Sequence, residues 1–213
     1  MNKIAAHCGY FRSPVFNCFK EVDNVQHPDQ LKLNHVLILH GGGDISPSFY
    51  GQKKSKRGFG FDEPSDRDIH EWEMVTRAVK MGIPIIGICR GAQLLCAFDG
   101  GHLIQHIEGH QGADHNIIDT RTLEVVRGNT CHHQMMVPRD DHHNLILAHT
   151  IEETIGYDID DQPFTILNVP EVVYFHQLRA IGIQGHPEWM SGSKYTNYCS
   201  DLIKEFLLGE QTS

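Results

Sequence analysis

Short apolar, β-branched runs separated by stretches of helical period set the pattern of this 213-residue chain. Lys3 to Cys8 reads as a first strand, and Val36 to Leu39 as a strand apolar on both faces. Ile83 to Ile88 repeats that signature, and Arg179 to Gln184 gives it once more near the end. Strands of this kind alternating with helices predict a parallel sheet covered on both sides. In Asp66 to Met81 the apolar positions Ile69, Trp72, Val75 and Val79 recur at spacings of three and four, which predicts a helix. Ala92 to Phe98 reads as a second helix, stopped by Gly100-Gly101. Tyr195 to Leu208 is a third, with Tyr198, Leu202, Ile203 and Phe206 spaced to pack. From Ile117 the runs shorten. Thr122 to Val126, Met135 to Val137, Asn144 to Ala148 and Glu171 to Phe175 are strand-like segments between turn residues. No repeat or linker interrupts the pattern, so residues 1–213 are expected to form a single domain.

In parallel sheets ligands sit beyond the carboxyl ends of the strands. Three such ends carry candidate chemistry. The Ile83 strand runs into Gly87-Ile88-Cys89-Arg90-Gly91 and straight on into a helix. That is the wording of a nucleophile elbow, a tight strand-to-helix turn carrying a nucleophile. Side chains two positions either side of the nucleophile would collide in so sharp a turn, which Gly87 and Gly91 avoid, while Cys89 takes a strained φ. The helix start turns free N–H groups toward Cys89 and favours its thiolate. By itself the motif also suits a buried cysteine ending a core strand. A cysteine nucleophile needs a base elsewhere in the chain.

The Val36 strand ends at His40-Gly41-Gly42-Gly43-Asp44, where consecutive glycines let backbone N–H groups face a site unobstructed. It is not a phosphate loop, because the GxxxxGK[ST] spacing is absent. The last core strand ends at Gly185-His186-Pro187-Glu188. In an extended turn Glu188 points the same way as His186 and can orient its ring, as the third member of a triad does.

Charge and composition narrow the classes. With 18 basic against 27 acidic residues the net charge is −9, which argues against a nucleic-acid or anionic-membrane partner. Apolar runs fall well short of the roughly 20 residues that span a bilayer. The first residues lack the apolar core of a signal peptide. Six cysteines show no CxxC spacing, so a reducing, cytoplasmic setting is expected. Gln52 to Phe61, with Lys53, Lys54, Lys56 and Arg57, reads as an exposed loop. Sixteen histidines raise the question of a metal, since His102, His106, His110 and His115 are about a helical turn apart. Glycines at 100, 101 and 109 break any helix there and no HExxH accompanies it, so neither metal nor cofactor is expected.

Taken together the three strand ends closely resemble the class I glutamine amidotransferases, and within them the γ-glutamyl-γ-aminobutyrate hydrolase-like (peptidase C26) subgroup. Six motifs carry the resemblance, in order, over residues 36–190. They are Gly41-Gly42-Gly43-Asp44-Ile45-Ser46-Pro47 with Tyr50, Asp66-Arg67-Asp68 with Glu71, the elbow Gly-Ile-Cys-Arg-Gly-Ala-Gln93, Gly100-Gly101-x-Leu103-x-Gln105, His132-His133-Gln134, and Gly185-His186-Pro187-Glu188. The resemblance implies a flavodoxin-like three-layer α/β sandwich: a mostly parallel central sheet, helices on both faces and a few extra antiparallel strands. It implies attack on a γ-glutamyl amide by Cys89, with His186 as base and then acid and Glu188 as orienter. Backbone N–H groups of Gly42 and Arg90 would form the oxyanion hole. Gly41, Gln93, His132, His133 and Gln134 would bind the γ-glutamyl substrate. A homodimer, or a separate synthetase fed with ammonia, is the implied partner. The sequence departs from the family at His106, where Asp is common, and at Asn129-Thr130-Cys131, which stands where Asn-Ser is common. It also differs over Ile151 to Glu171, which leaves the leaving amine unread.

Overall fold

The structure is a computed structural model that describes residues 3–8, 18–112, 114–140 and 142–210. The chain begins with strands β1 (Ile4–Cys8), β2 (Val22–Val25) and β3 (His35–Leu39), then helix α1 (Asp66–Met81), β4 (Ile85–Ile88) and α2 (Arg90–Phe98). A long run of strands follows: β5 (His102–Ile104), β6 (His106–Ile107), β7 (His115–Asp119), β8 (Val125–Gly128), β9 (Met135–Val137), β10 (Asn144–Thr150), β11 (Thr154–Tyr157), β12 (Pro163–Ile166) and β13 (Pro170–Phe175). Strand β14 (Ala180–Ile183) and helix α3 (Lys194–Ile203) follow, and α3 runs on into a π-helical turn, Lys204–Leu208.

Nine strands form the main sheet in the order β2-β1-β3-β4-β14-β13-β10-β7-β8. The first five are parallel, and their order along the chain is the doubly wound 2-1-3-4-5 arrangement of flavodoxin-like folds. The other four are antiparallel and widen the sheet beyond β14. Alternate side chains of each parallel strand face opposite layers. Ala6, Leu37, Leu39 and Ile85 pack under α1 and α2 with Met74, Val75 and Leu94. Ala5, Val36, Ile38, Ile86, Ile88 and Ile183 face the other way, against Tyr195, Cys199 and Leu202 of α3. The continuous apolar runs are therefore explained by burial on both faces.

Several elements differ from the periodicity. The buried face of α1 holds Asp68, Glu71, Met74, Val75 and Ala78, whereas Ile69 is 48% exposed. Two carboxylates occupy the core side because a buried arginine meets them there, as described below. The strand read at Thr122 to Val126 starts only at Val125. Asp119 accepts the N–H groups of Arg121 and Thr122, and the resulting turn, with Leu123 at φ 62°, uses up the first half. The loop from Gln52 to Phe61 is exposed at Lys53, Lys54 and Lys56 but tied down between them. Gln105 accepts Ser55 N–H at 2.8 Å and donates to Lys53 O at 2.8 Å, and Asp44 accepts Phe59 N–H at 3.0 Å. Among the described residues no helix is long and apolar enough to cross a membrane.

Candidate active site

Strands β3, β4 and β14 are neighbours, so their carboxyl ends open onto one crevice of about 370 Å³. His40, Gly41, Gly42, Cys89, Cys131, His186, Glu188 and Trp189 line it. The size suits a small ligand.

Cys89 occupies the turn between β4 and α2 at φ 51° and ψ −107°, a conformation that non-glycine residues rarely adopt. The surrounding glycines allow it. A Cβ on Gly87 would lie 2.6 Å from the carbonyl of Gly91, and one on Gly91 would lie 2.6 Å from Leu39 O. The elbow thus locks into both α2 and β3. Burial pushes the Cys89 thiol up to about 12, against the pull of the Arg90 and Gly42 backbone N–H groups that face its sulfur. The sequence argument placed a thiolate here. In the folded chain desolvation outweighs the amides, so the sulfur holds its proton until a base removes it.

His186 follows β14 and is buried. Its Nδ1 lies 2.8 Å from Glu188 Oε1, which fixes the proton on Nδ1 and leaves Nε2 as the acceptor. The ring stacks on Trp189, 3.8 Å between centroids and 6° between planes. Asn129 brackets the backbone, accepting His186 N–H at 2.9 Å and donating to His186 O at 3.0 Å. Gly41 is the spacer: a Cβ there would sit 2.6 Å from His186 Cε1, 3.5 Å from Nε2 and 3.4 Å from Cys89 Cβ. Any side chain at position 41 would displace the imidazole.

A buried ion network fixes the crevice from behind. The Arg90 guanidinium reaches Glu71 and Asp68, both on α1 and all three buried. Arg67 bonds Glu71 Oε1 at 2.8 Å and donates to the carbonyls of His40 at 3.0 Å and Gly41 at 3.1 Å. One network therefore couples α1, the glycine loop and the residue after Cys89.

The remaining expected substrate residues are dispersed. His133 lines an adjoining crevice of about 440 Å³ with Gly42, Asp44, Phe59, Phe61, Arg67 and Arg90. Its Nε2 is 2.8 Å from Asp44 Oδ1. Gln93 is buried beside Gln184, 3.5 Å away, and Gln134 is also buried; neither Gln93 nor Gln134 lines either crevice. His132 does not line the Cys89 crevice, and its Nε2 lies 3.5 Å from Glu171, which His110 and His115 also approach. Burial alone would raise the Glu171 carboxyl, yet the surrounding imidazoles hold it well below the ordinary range. Asn129, Trp189 and the side chains of Arg67 and Arg90 are the positioning groups that sequence reasoning left without a role; for Arg90 it used only the backbone N–H. The Asn129-Thr130-Cys131 stretch was visible only as a departure from a family pattern.

A glycine-loop strand end, a strained elbow cysteine and a His-x-Glu turn around one crevice of a 2-1-3-4-5 sheet define a class I glutamine amidotransferase-like protein. Residues 14–160 match the Peptidase C26 family, and the chain belongs to that family. The "Putative glutamine amidotransferase Rv2859c" of Mycobacterium tuberculosis is 39% identical over 82 residues, 37% of this chain and 26% of that protein. The carbamoyl phosphate synthase small chain of Campylobacter jejuni is 28% identical over 183 residues, 85% of this chain and 42% of that one. The chain thus spans less than half the length of these two relatives. A glutamine amidotransferase structure from Thermotoga maritima shares the fold with a TM-score of 0.57 at 14% identity, covering 98% of this chain and 89% of that one.

Proposed function

We propose that the protein hydrolyses γ-glutamyl amide bonds through a thioester on Cys89. The observation that carries the reading is the meeting, in one crevice, of a buried thiol faced by two backbone N–H groups and a histidine oriented by a carboxylate. His186 Nε2 takes the proton of Cys89 as the sulfur attacks the γ-carbonyl carbon. The oxyanion that forms is held by the N–H groups of Gly42 and Arg90, each donor being worth about 3 kcal/mol of barrier. His186 then gives the proton to the leaving nitrogen and the amine departs. Water, deprotonated by the same ring, attacks the thioester and releases glutamate. Glu188 keeps the proton on Nδ1 and stabilises the imidazolium. Six free cysteines fit a reducing, cytoplasmic setting for this thiol chemistry.

The two acidic-basic partners are expected to contribute unequally. His186→Ala is expected to lower kcat by about 10⁶-fold and Glu188→Gln by about 10⁴-fold, because the first removes the proton carrier and the second only its orientation. Steady-state kinetics on the same amide decide it, and an active His186→Ala beside a dead Glu188→Gln would reverse the roles.

A second reading keeps the chemistry and changes the destination of the ammonia. The similarity to a carbamoyl phosphate synthase small chain over most of this sequence favours a subunit that supplies ammonia to a synthetase in trans. The adjoining crevice separates the two. Phe59 and Phe61 flank it at 69% and 78% exposure, a place where the side chain of a leaving amine can rest. For the hydrolase, a Phe59→Ala, Phe61→Ala variant is expected to change the ranking of kcat/KM among glutamine and three γ-glutamyl amines, since specificity is a ratio of those values. An equal fall for all four, or activity on glutamine alone, favours the ammonia-supplying subunit.

A further inference from the structure

Outside the Cys89 crevice lies a cluster that the chemistry above does not use. His110 in the loop after β6, His115 at the start of β7, His132 before β9 and Glu171 on β13 converge on one point. Glu171 Oε1 is 3.2 Å from His115 Nε2, 3.5 Å from His110 Nδ1 and 3.5 Å from His132 Nε2. The ligand atoms of His110, His132 and Glu171 lie within 4.8 Å of one another. All four atoms are buried, and none has a hydrogen-bond partner among the described residues. An unmet buried polar atom is destabilising, so four buried atoms gathered around Glu171 Oε1 call for something between them.

The distances say what fits. Donors about 2.0–2.1 Å from zinc in a tetrahedral arrangement are about 3.3 Å apart, close to the separations around Glu171 Oε1. The tautomer of His132 points the same way. Its Nδ1 lies 2.9 Å from Gln134 O and donates to it, so in the neutral ring Nε2 presents a lone pair toward the carboxylate. Two acceptors facing each other repel unless a proton or a metal ion lies between them, and at 3.5 Å neither atom makes a hydrogen bond to the other. Metal-bound histidines usually donate their second N–H to a carbonyl in this manner. Three imidazoles and one carboxylate suit a borderline divalent ion.

We propose that His110, His132 and Glu171 bind one divalent cation of the zinc type, with His115, 3.2 Å from Glu171 Oε1, as the neighbouring donor that closes a structural site apart from the triad. Once His115 joins the three mutually close donors no open position is left for substrate, which separates a structural site from a catalytic one. His115 is the entry edge, its side chain being 12% exposed where that of Glu171 is 1%. The site pins the start of β13 to the His132 segment. That segment also carries Asn129, and Glu171 O accepts Gln184 N–H at 2.8 Å, two residues before His186. Binding therefore stiffens the wall that positions His186 without entering the reaction. The proposal sets aside the sequence expectation of no metal, which rested on helical spacing. The four ligands come instead from loops and strand starts.

The test uses the whole chain stripped with a chelator and titrated with zinc against a chromophoric competitor. One equivalent is expected to bind, with a rise in the thermal midpoint of several degrees, because a ligand selective for the folded state stabilises it. Cobalt in the same site is expected to show the visible bands of a four-coordinate ion with no thiolate-to-metal charge-transfer band. Cys89→Ser and Cys131→Ser are expected to keep the site. Glu171→Gln and His115→Ala are expected to weaken it at least about tenfold, in line with loss of a ligand. Absence of stoichiometric uptake by the wild-type chain overturns the proposal. So does a thiolate band in the cobalt spectrum, or binding that both cluster variants retain. The cobalt spectrum of the wild-type chain decides the matter if a variant does not fold. None of these readouts depends on amide hydrolysis, so failure here leaves the triad reading untouched.

Discussion

Cys89→Ser is expected to lower kcat on γ-glutamyl amides by about 10⁴- to 10⁶-fold while the thermal midpoint stays within a degree or two of wild type. The lower bound follows from what single triad members cost when removed, and the residual rate comes from substrate binding and the oxyanion donors. Serine is nearly isosteric, so the elbow at φ 51° keeps its strain and its contacts. What changes is the nucleophile. Even the buried thiol, raised to about 12, is a stronger acid than a serine hydroxyl in the same place. His186 would have to remove a far more tightly held proton. The paired measurement of kcat and thermal midpoint matters, because a loss of activity through unfolding would move both. A serine variant with ordinary turnover would mean that Cys89 is a core residue after all.

Glu71→Ala is expected to destabilise the fold by about 3–5 kcal/mol, the usual cost of stranding a buried charge by removing its partner. For a chain of 213 residues that is a drop of order 10 °C in the thermal midpoint. The Arg90 guanidinium would be left with Asp68 alone, and Arg67 would lose the carboxylate that aims it at the His40 and Gly41 carbonyls. The glycine loop and the elbow would loosen together, so kcat is expected to fall although residue 71 does not line the Cys89 crevice. Chemical denaturation checks the first part and kinetics the second. A change under 1 kcal/mol would mean that solvent screens this network as it screens a surface pair.

The same network explains where the sequence was legible and where it was not. The parallel strands were readable because burial on both faces leaves an unbroken apolar run, as at Leu37 to Leu39 and Ile85 to Ile88. The elbow was readable because its sterics admit only glycine at 87 and 91. His186 and Glu188 were readable because they are two residues apart in one turn. The inward face of α1 was not, since Asp68 and Glu71 look like solvent residues until Arg90 is placed opposite them. Nor was the cluster at Glu171. Its histidines come from three segments brought together by β7, β9 and β13, and regular spacing along the chain gave the wrong cue. Asn129 shows the same limit, because its bonds to His186 cross 57 residues of sequence. The short strands β5, β6, β11 and β12 are only two to four residues long, too brief for a period to register.

The central claim is that one sulfur, that of Cys89, becomes acylated. Intact-protein and peptide mass spectrometry after exposure to a glutamine-like electrophile tests it directly, since all six cysteines are free and compete for the label. Cys131 is the most exposed of them and is the natural rival on accessibility alone. The account predicts a single adduct on the peptide carrying Cys89, lost in His186→Ala, where no base remains to ionise the thiol. Labelling that falls on Cys131 instead, or that persists on Cys89 at full rate without His186, would contradict it.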